Sequence, residues 1–308
     1  MEIPVDSSTR VKAIFNGIFL LFLSLLGFIA IGPFIGLAFA LLFIETPLIE
    51  IEGLLSNLGG SSDGKTLLYF MQAGATFGMF LLPYTYTKLK NKIALSHYSS
   101  NKVSPLVIAL AGFITVSFMG VNAIVIDWNA SLQFPEFMSD FENWARDMED
   151  KGLQMTEWMT SFTDIPTLIL SLLILAVLPG IAEEFVFRGI LLKELAIGFN
   201  NIHIAIWISA ILFSAIHLQF YGFVPRVLLG ALFGYLFYWS GNIIIPVFAH
   251  FVNNGFTLIM VYLKNNGSVS FDIQNSEAPS LASVLIFSII TFGLVYLFRN
   301  QLQKRSHG

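Results

Sequence analysis

Apolar residues run along this chain in long blocks rather than in short alternating patterns. A block of about 18 or more apolar residues has the length of a helix that crosses a bilayer. Eight blocks qualify as candidate helices: residues 13–44, 66–87, 103–126, 165–199, 202–221, 225–240, 243–263 and 280–299. The pattern predicts an all-α fold, a polytopic membrane helix bundle of about eight transmembrane helices. Composition agrees. Of the 308 residues, 56% are hydrophobic and only 12% are charged, about half the charged share usual for a soluble domain. The first block is much longer than the roughly 7–15 apolar residues of a signal peptide. It is therefore read as a retained span, bent at Gly32-Pro33, although Ala38-Phe39-Ala40 resembles a cleavage site. The chain has no cysteine, which excludes disulfides, thiolate nucleophiles and cysteine-ligated metals. A net charge of -4 gives no sign of a nucleic-acid partner.

Lysine and arginine collect in cytoplasmic loops. Arg10, Lys12, Lys88, Lys90, Lys92, Lys102, Lys193, Arg299, Lys304 and Arg305 fall on one side of eight alternating spans. Lys65, Arg146, Lys151, Arg226 and Lys264 fall on the other, with Arg188 set aside. Both termini are therefore expected to be cytoplasmic, and the acidic stretch 127–161 external. Within that stretch Phe137, Phe141, Trp144 and Met148 recur at helical spacing. They predict an amphipathic helix, lying either on the membrane surface or over the bundle as a cap. The polar run 264–279 reads as an irregular loop. No repeat or second domain is visible. The chain reads as one integral membrane domain, with three spans and the external loop in 1–164, the chemistry in 165–265, and a last span and tail in 266–308. Gly230-x-x-x-Gly234 predicts close helix packing, with dimerisation as the alternative.

Inside the fourth block stands "PGIAEEFVFRG". An ionisable side chain at the centre of a membrane helix costs on the order of 2.5–3.5 kcal/mol on insertion scales, so three on one helix need a reason. Glu184 and Arg188 are four residues apart in the favourable order for an ion pair. Glu183 is left over, about 100° round the helix, and suits a general base or a proton carrier. Of the five histidines, His97, His203 and His307 fall in loops, a turn or a tail and are given no role. His217 ends the fifth block, four residues after Phe213, and His250 lies within the seventh, four residues before Asn254. From the turn at Asn200, Glu183 lies 17 residues back and His217 17 residues forward, which gives them equal height in a helical hairpin. A carboxylate and an imidazole can together hold and deprotonate a water, and imidazole and amide N–H groups can stabilise an oxyanion. Ser209, Ser214 and Ser240 stand in no recognisable nucleophile setting.

Glu183-Glu184-x-x-x-Arg188, Phe213-x-x-x-His217 and His250-x-x-x-Asn254 occur in that order on the fourth, fifth and seventh blocks. In this the chain resembles the CPBP family, the type II CAAX prenyl proteases and their bacterial relatives, some of them linked to bacteriocin self-immunity. The resemblance covers about residues 165–265. It implies a glutamate-dependent intramembrane endopeptidase acting on a peptide or lipoprotein substrate in the membrane. It implies that Glu183 and His217 activate the water, that His250 and Asn254 form the oxyanion site, and that Glu184 and Arg188 support them. No cofactor is expected. Zinc is a minor possibility, because two histidines and a glutamate can bind it, but the chain lacks the H-E-x-x-H spacing of a zinc protease helix. The short tails and the lysine-rich loop fit a bacterial inner membrane protein. Two other readings remain: a non-catalytic membrane scaffold or immunity factor on the same fold, and a proton-coupled transporter using Glu183.

Overall fold

A computed structural model describes residues 6–56, 59–91, 101–270 and 279–306. Lys92, His97, His307 and residues 271–278 of the polar loop lie outside the described residues. The long helices are α1 (Ser7–Ala40), α2 (Ser62–Asn91), α3 (Pro105–Ala130), α4 (Ser139–Thr160), α5 (Ile165–Phe199), α6 (Ile202–Ala215), α7 (Phe223–Ser240), α8 (Ile244–Asn265) and α9 (Leu281–Ser306). Seven of them are long and apolar enough to span a membrane, namely all but α4 and α6 among the described residues. The protein is an all-α integral membrane bundle.

The fifth predicted block behaves differently from the others. Its helix, α6, ends after 14 residues at Ala215, about 21 Å of rise at 1.5 Å per residue. The chain then turns through Leu218, which has a φ of 55°, and a short 3₁₀ turn at Phe220–Gly222 leads into α7. His217 therefore lies just beyond a helix end rather than within a span. α3 runs four residues past its predicted end. Asn129 secures that extra turn, accepting from Val224 N–H at 2.9 Å and donating to Phe220 O at 3.2 Å, so one side chain serves both the end of α3 and the start of α7.

α1 and α2 pack backbone to backbone. A Cβ at Gly27, Gly32 or Gly36 would collide with the main chain of Gly78, Gly74 or Phe70. Between Gly27 and Gly32 the helix widens to a π turn over Gly27–Ile31. The five-residue step of a π turn keeps both glycines on one face, and the same widening lets Pro33 enter without an N–H to donate.

α5 runs through the middle, against α1, α2, α6 and α8, while α9 lies against α3. α4 caps one end of the bundle. Ala145 and Met159 are buried beneath it, and Phe141 packs on Phe134 and Phe220. Trp144 on the same helix and Phe137 in the 3₁₀ turn before it stay exposed. At its far end Asn265 of α8 donates to the carbonyls of Thr160 and Phe162. The Gly230-x-x-x-Gly234 face is used inside the chain. A Cβ at Gly230 would sit 3.2 Å from Ala210 Cβ, and one at Gly234 2.9 Å from Ile206 Cγ2, so the glycines let α7 close on α6.

Candidate active site

Two π segments interrupt α5, at Leu172–Val177 and Phe185–Leu191, and Glu183 and Glu184 stand in the short α-helical piece between them. Such widenings free backbone groups and gather at functional sites. Pro179 adds to the disturbance, because it has no N–H for the carbonyl four residues earlier. That carbonyl, Leu175 O, accepts instead from Asn254 Nδ2 at 3.1 Å. Four residues before Asn254, His250 faces the same helix. Gly180 makes this approach possible: a Cβ there would lie 3.3 Å from Val247 O and 3.7 Å from His250 Cβ.

Glu184 and Arg188 are paired, as the four-residue spacing predicts. Arg188 Nη1 donates to Glu184 Oε1 at 2.9 Å, with side-chain exposures of 1% and 0%. So deep a pair is costly unless its remaining hydrogen-bonding capacity is met; that of Arg188 is engaged, whereas Glu184 Oε2 is buried without a partner among the described residues. Arg188 Nη2 donates to Gly230 O at 2.8 Å, a carbonyl within reach because the residue has no side chain in the way. The guanidinium also lies 4.9 Å from the Phe213 ring centre and 5.7 Å from that of Phe233, close enough for cation–π attraction.

The same Glu184 oxygen accepts from His250 Nδ1 at 2.8 Å. Glu184 therefore does more than neutralise Arg188: it fixes the plane and tautomer of His250 and aims Nε2 away from itself. Nε2 faces Glu183 Oε2 at 3.8 Å. That separation is too long for a direct hydrogen bond. One water with arms of about 2.8 Å would span it at an angle of about 85°.

His217 is oriented by the end of its own helix. The last carbonyls of an α-helix have no partner within it. One of these, Phe213 O, lies 2.8 Å from His217 Nδ1. A carbonyl only accepts, so Nδ1 carries the hydrogen and Nε2 holds the free lone pair of the neutral ring. The Phe213 ring stands edge-on to both imidazoles, with centres 5.2 Å from His217 and 6.2 Å from His250. One phenyl thus contacts the catalytic candidates of two helices and the Arg188 guanidinium.

Glu183, Glu184, Arg188, Phe213 and His250 form one connected cluster, and His217 joins it through Phe213. Asn254 lies one turn further along α8. Its Nδ2 is engaged by Leu175 O and its Oδ1 by Asn253 Nδ2 at 3.0 Å. The three serines donate to backbone carbonyls, Ser209 to Phe187 O, Ser214 to Phe223 O and Ser240 to Leu236 O, which is a structural use. With both Nδ1 atoms engaged, Glu183 and the two Nε2 atoms are what the site offers a metal. Among the described residues no three His, Asp or Glu side chains converge as metal ligands.

Sequence reading missed Arg226, near the start of α7, and Glu149 of α4. Arg226 is within electrostatic reach of Glu149, Glu183 and His217. Its Nη2 donates to Gln219 Oε1 at 3.0 Å. Glu149 is held by the Tyr221 backbone N–H, and burial lifts its carboxyl above the ordinary range. On the exposed side of α4, Glu142 lies below that range because Arg146 donates to it. Nothing in the spacing of 149 and 226 links them. Their meeting depends on the fold of α4 over the α6–α7 turn.

Residues 165–256 match the family model described as type II CAAX prenyl endopeptidase Rce1-like. An uncharacterized protein of Bacillus subtilis (strain 168), YpbD, is 29% identical over 85 residues, which are 26% of this chain and 40% of that protein. The chain thus matches well under half the length of this curated relative. No solved structure matches. The matched stretch holds α5, α6, α7 and the part of α8 that bears His250 and Asn254, and it is this segment, 165–256, that is similar to the Rce1-like type II CAAX prenyl endopeptidase family.

Proposed function

We propose that the chain is an intramembrane endopeptidase that hydrolyses a peptide bond of a membrane-associated or lipidated substrate with a side-chain-activated water. The observation that carries this reading is the Glu183–His250 pair. A carboxylate faces an imidazole across 3.8 Å, and that imidazole is locked from behind by a buried Glu184–Arg188 ion pair. A membrane interior tolerates such charge density only where it is used or fully paired, and Glu183 has no guanidinium of its own.

In the proposed reaction Glu183, with His217 Nε2, takes a proton from water as its oxygen attacks the peptide carbonyl carbon. The oxyanion that forms is stabilised by the imidazolium form of His250, which alone carries a hydrogen on Nε2 while Nδ1 donates to Glu184, and by the second amide hydrogen of Asn254. Collapse breaks the C–N bond, and the abstracted proton passes to the departing amine. No covalent enzyme intermediate is formed, and no metal is assigned to the step. Glu184, Arg188 and Phe213 position the imidazoles. We place both termini on the cytoplasmic side of a bacterial inner membrane, counting α6 as a short eighth crossing, from the ten-to-five distribution of basic residues.

The test is cleavage of hydrophobic and lipidated reporter peptides by the purified chain in liposomes, with products identified by mass. Cleavage is expected, unaffected by EDTA, and lost by about a hundredfold or more in His217→Gln. That variant removes the imidazole that assists Glu183 and can still donate to the Phe213 carbonyl. A fully active His217→Gln contradicts the role of His217 in activating the water. A scaffold or immunity factor predicts no cleavage by any variant.

A further inference from the structure

Arg226 is the strongest unassigned feature of the molecule. It occupies the first turn of α7, where the positive end of the helix dipole disfavours a cation and favours an anion. One guanidinium edge is held by Gln219, two residues after His217. The other, Nη1, is buried and has no hydrogen-bond partner among the described residues. Glu149 approaches from α4, and its Oε2 is likewise buried without a partner. Two opposite charges thus face one another across the contact between the capping helix and the site, yet form no direct hydrogen bond. A guanidinium nitrogen that is buried and left with an open donor is costly unless a ligand or water fills it. The group that suits a planar pair of donors is a carboxylate.

We propose that Arg226 is a specificity residue that receives a carboxylate of the peptide substrate through Nη1, and that Glu149 is the internal anion this carboxylate displaces. The inference rests on the endopeptidase reading and adds the chemistry of the substrate. The preferred substrate carries a free carboxylate close to the bond presented to Glu183. Removing the Glu149 charge makes the site more receptive to that carboxylate, and removing the Arg226 charge abolishes the preference. Because Glu149 belongs to α4, binding of the carboxylate loosens the cap at this point.

The experiment uses the full chain in liposomes and three fluorescent peptides that differ only in charge. One has a free C-terminal carboxylate and no acidic side chain. One has the same sequence with a C-terminal amide. The third is the amide with one glutamate near its end. Binding by anisotropy and cleavage by mass are read in parallel. Wild type is expected to bind one of the two carboxylate peptides about tenfold or more tightly than the plain amide, and which of the two identifies the source of the group. Arg226→Gln is expected to erase this preference by raising KM for the carboxylate peptide with little change in kcat. Arg226→Lys retains part of it, and Glu149→Gln strengthens it. The double variant Glu149→Gln/Arg226→Gln leaves no unmatched charge and keeps the test open should Arg226→Gln alone fold poorly. Equal binding of all three peptides by wild type, or an intact preference in Arg226→Gln or the double variant, overturns the proposal. A carboxylate preference without cleavage leaves it standing and removes the endopeptidase reading. Cleavage without a preference does the reverse.

Discussion

Breaking the Glu184–Arg188 pair from either side is expected to destabilise the bundle much more than removing it whole. Glu184→Gln leaves a guanidinium that is 1% exposed with the Gly230 carbonyl and two aromatic faces but no anion. An uncompensated buried charge of this kind costs about 3–5 kcal/mol. Arg188→Met leaves Glu184 with His250 as its remaining donor and takes the side-chain donor from Gly230 O, so a loss of similar size is expected. The double variant Glu184→Gln/Arg188→Met buries neither charge. Its loss should fall short of the sum of the single losses by about 1–3 kcal/mol, a coupling typical of directly contacting groups. The assay is equilibrium unfolding of all four proteins in mixed micelles at one detergent composition. Single losses that add to the double loss within about 0.5 kcal/mol would refute the claim that these two groups form a coupled buried unit. The same four proteins report on function. Glu184→Gln should reduce cleavage about 10- to 100-fold at temperatures where it stays folded, because it replaces the charged acceptor that orients His250 Nδ1 by a weaker neutral one, as loss of an orienting partner does in metal sites.

The remaining predictions concern packing and pH. Gly180→Leu places a side chain against Val247 and His250, so it should push α8 from α5 and lower both stability, by about 1–3 kcal/mol, and cleavage. An unchanged cleavage rate would show that His250 is not positioned by this contact. Gly74→Ala overlaps the main chain of Gly32 and Gly36. It should destabilise the α1–α2 pair by about 1–3 kcal/mol without altering peptide KM, as checked by melting and kinetics on one preparation. Asp164 caps the start of α5, and the Thr167 backbone N–H holds its carboxyl below the ordinary value of 3.8. A depressed carboxyl contributes stability above its unfolded pKa and loses it as pH falls through the folded one. The melting difference between wild type and Asp164→Ala should therefore be full at pH 6 and shrink below about pH 4; a difference independent of pH refutes the cap.

Span positions were legible because lipid demands long apolar blocks and little else produces them. The helix at 165–199 matches its block end to end, and the Glu184–Arg188 pair follows from four-residue spacing alone. What stayed hidden has a common physical origin in broken helix geometry. Counting residues from Asn200 assumed two continuous helices of uniform rise. In the structure α6 stops at Ala215 and α5 carries two π segments, so counting misjudged the course of the chain between Glu183 and His217. The role of Glu184 behind His250 was out of reach because it depends on Gly180 allowing α8 close enough for a 2.8 Å contact. The link between Asn254 and the carbonyl that Pro179 leaves bare pairs residues 79 positions apart and leaves no periodic trace. Arg226 was counted for orientation only, since a lone basic residue at a span end looks like any other until α4 folds over it.

The central claim is that the Glu183 carboxylate is the base of a hydrolytic water, and a direct measurement is the cleavage rate of Glu183→Gln against wild type in liposomes, with melting followed on the same samples. Gln preserves the shape of the side chain and removes its basicity. The account predicts a fall in kcat of about a thousandfold or more with a melting temperature equal to or above that of wild type, because a partly buried carboxylate without a guanidinium partner has been removed. Cleavage within about tenfold of wild type by the folded variant would contradict it.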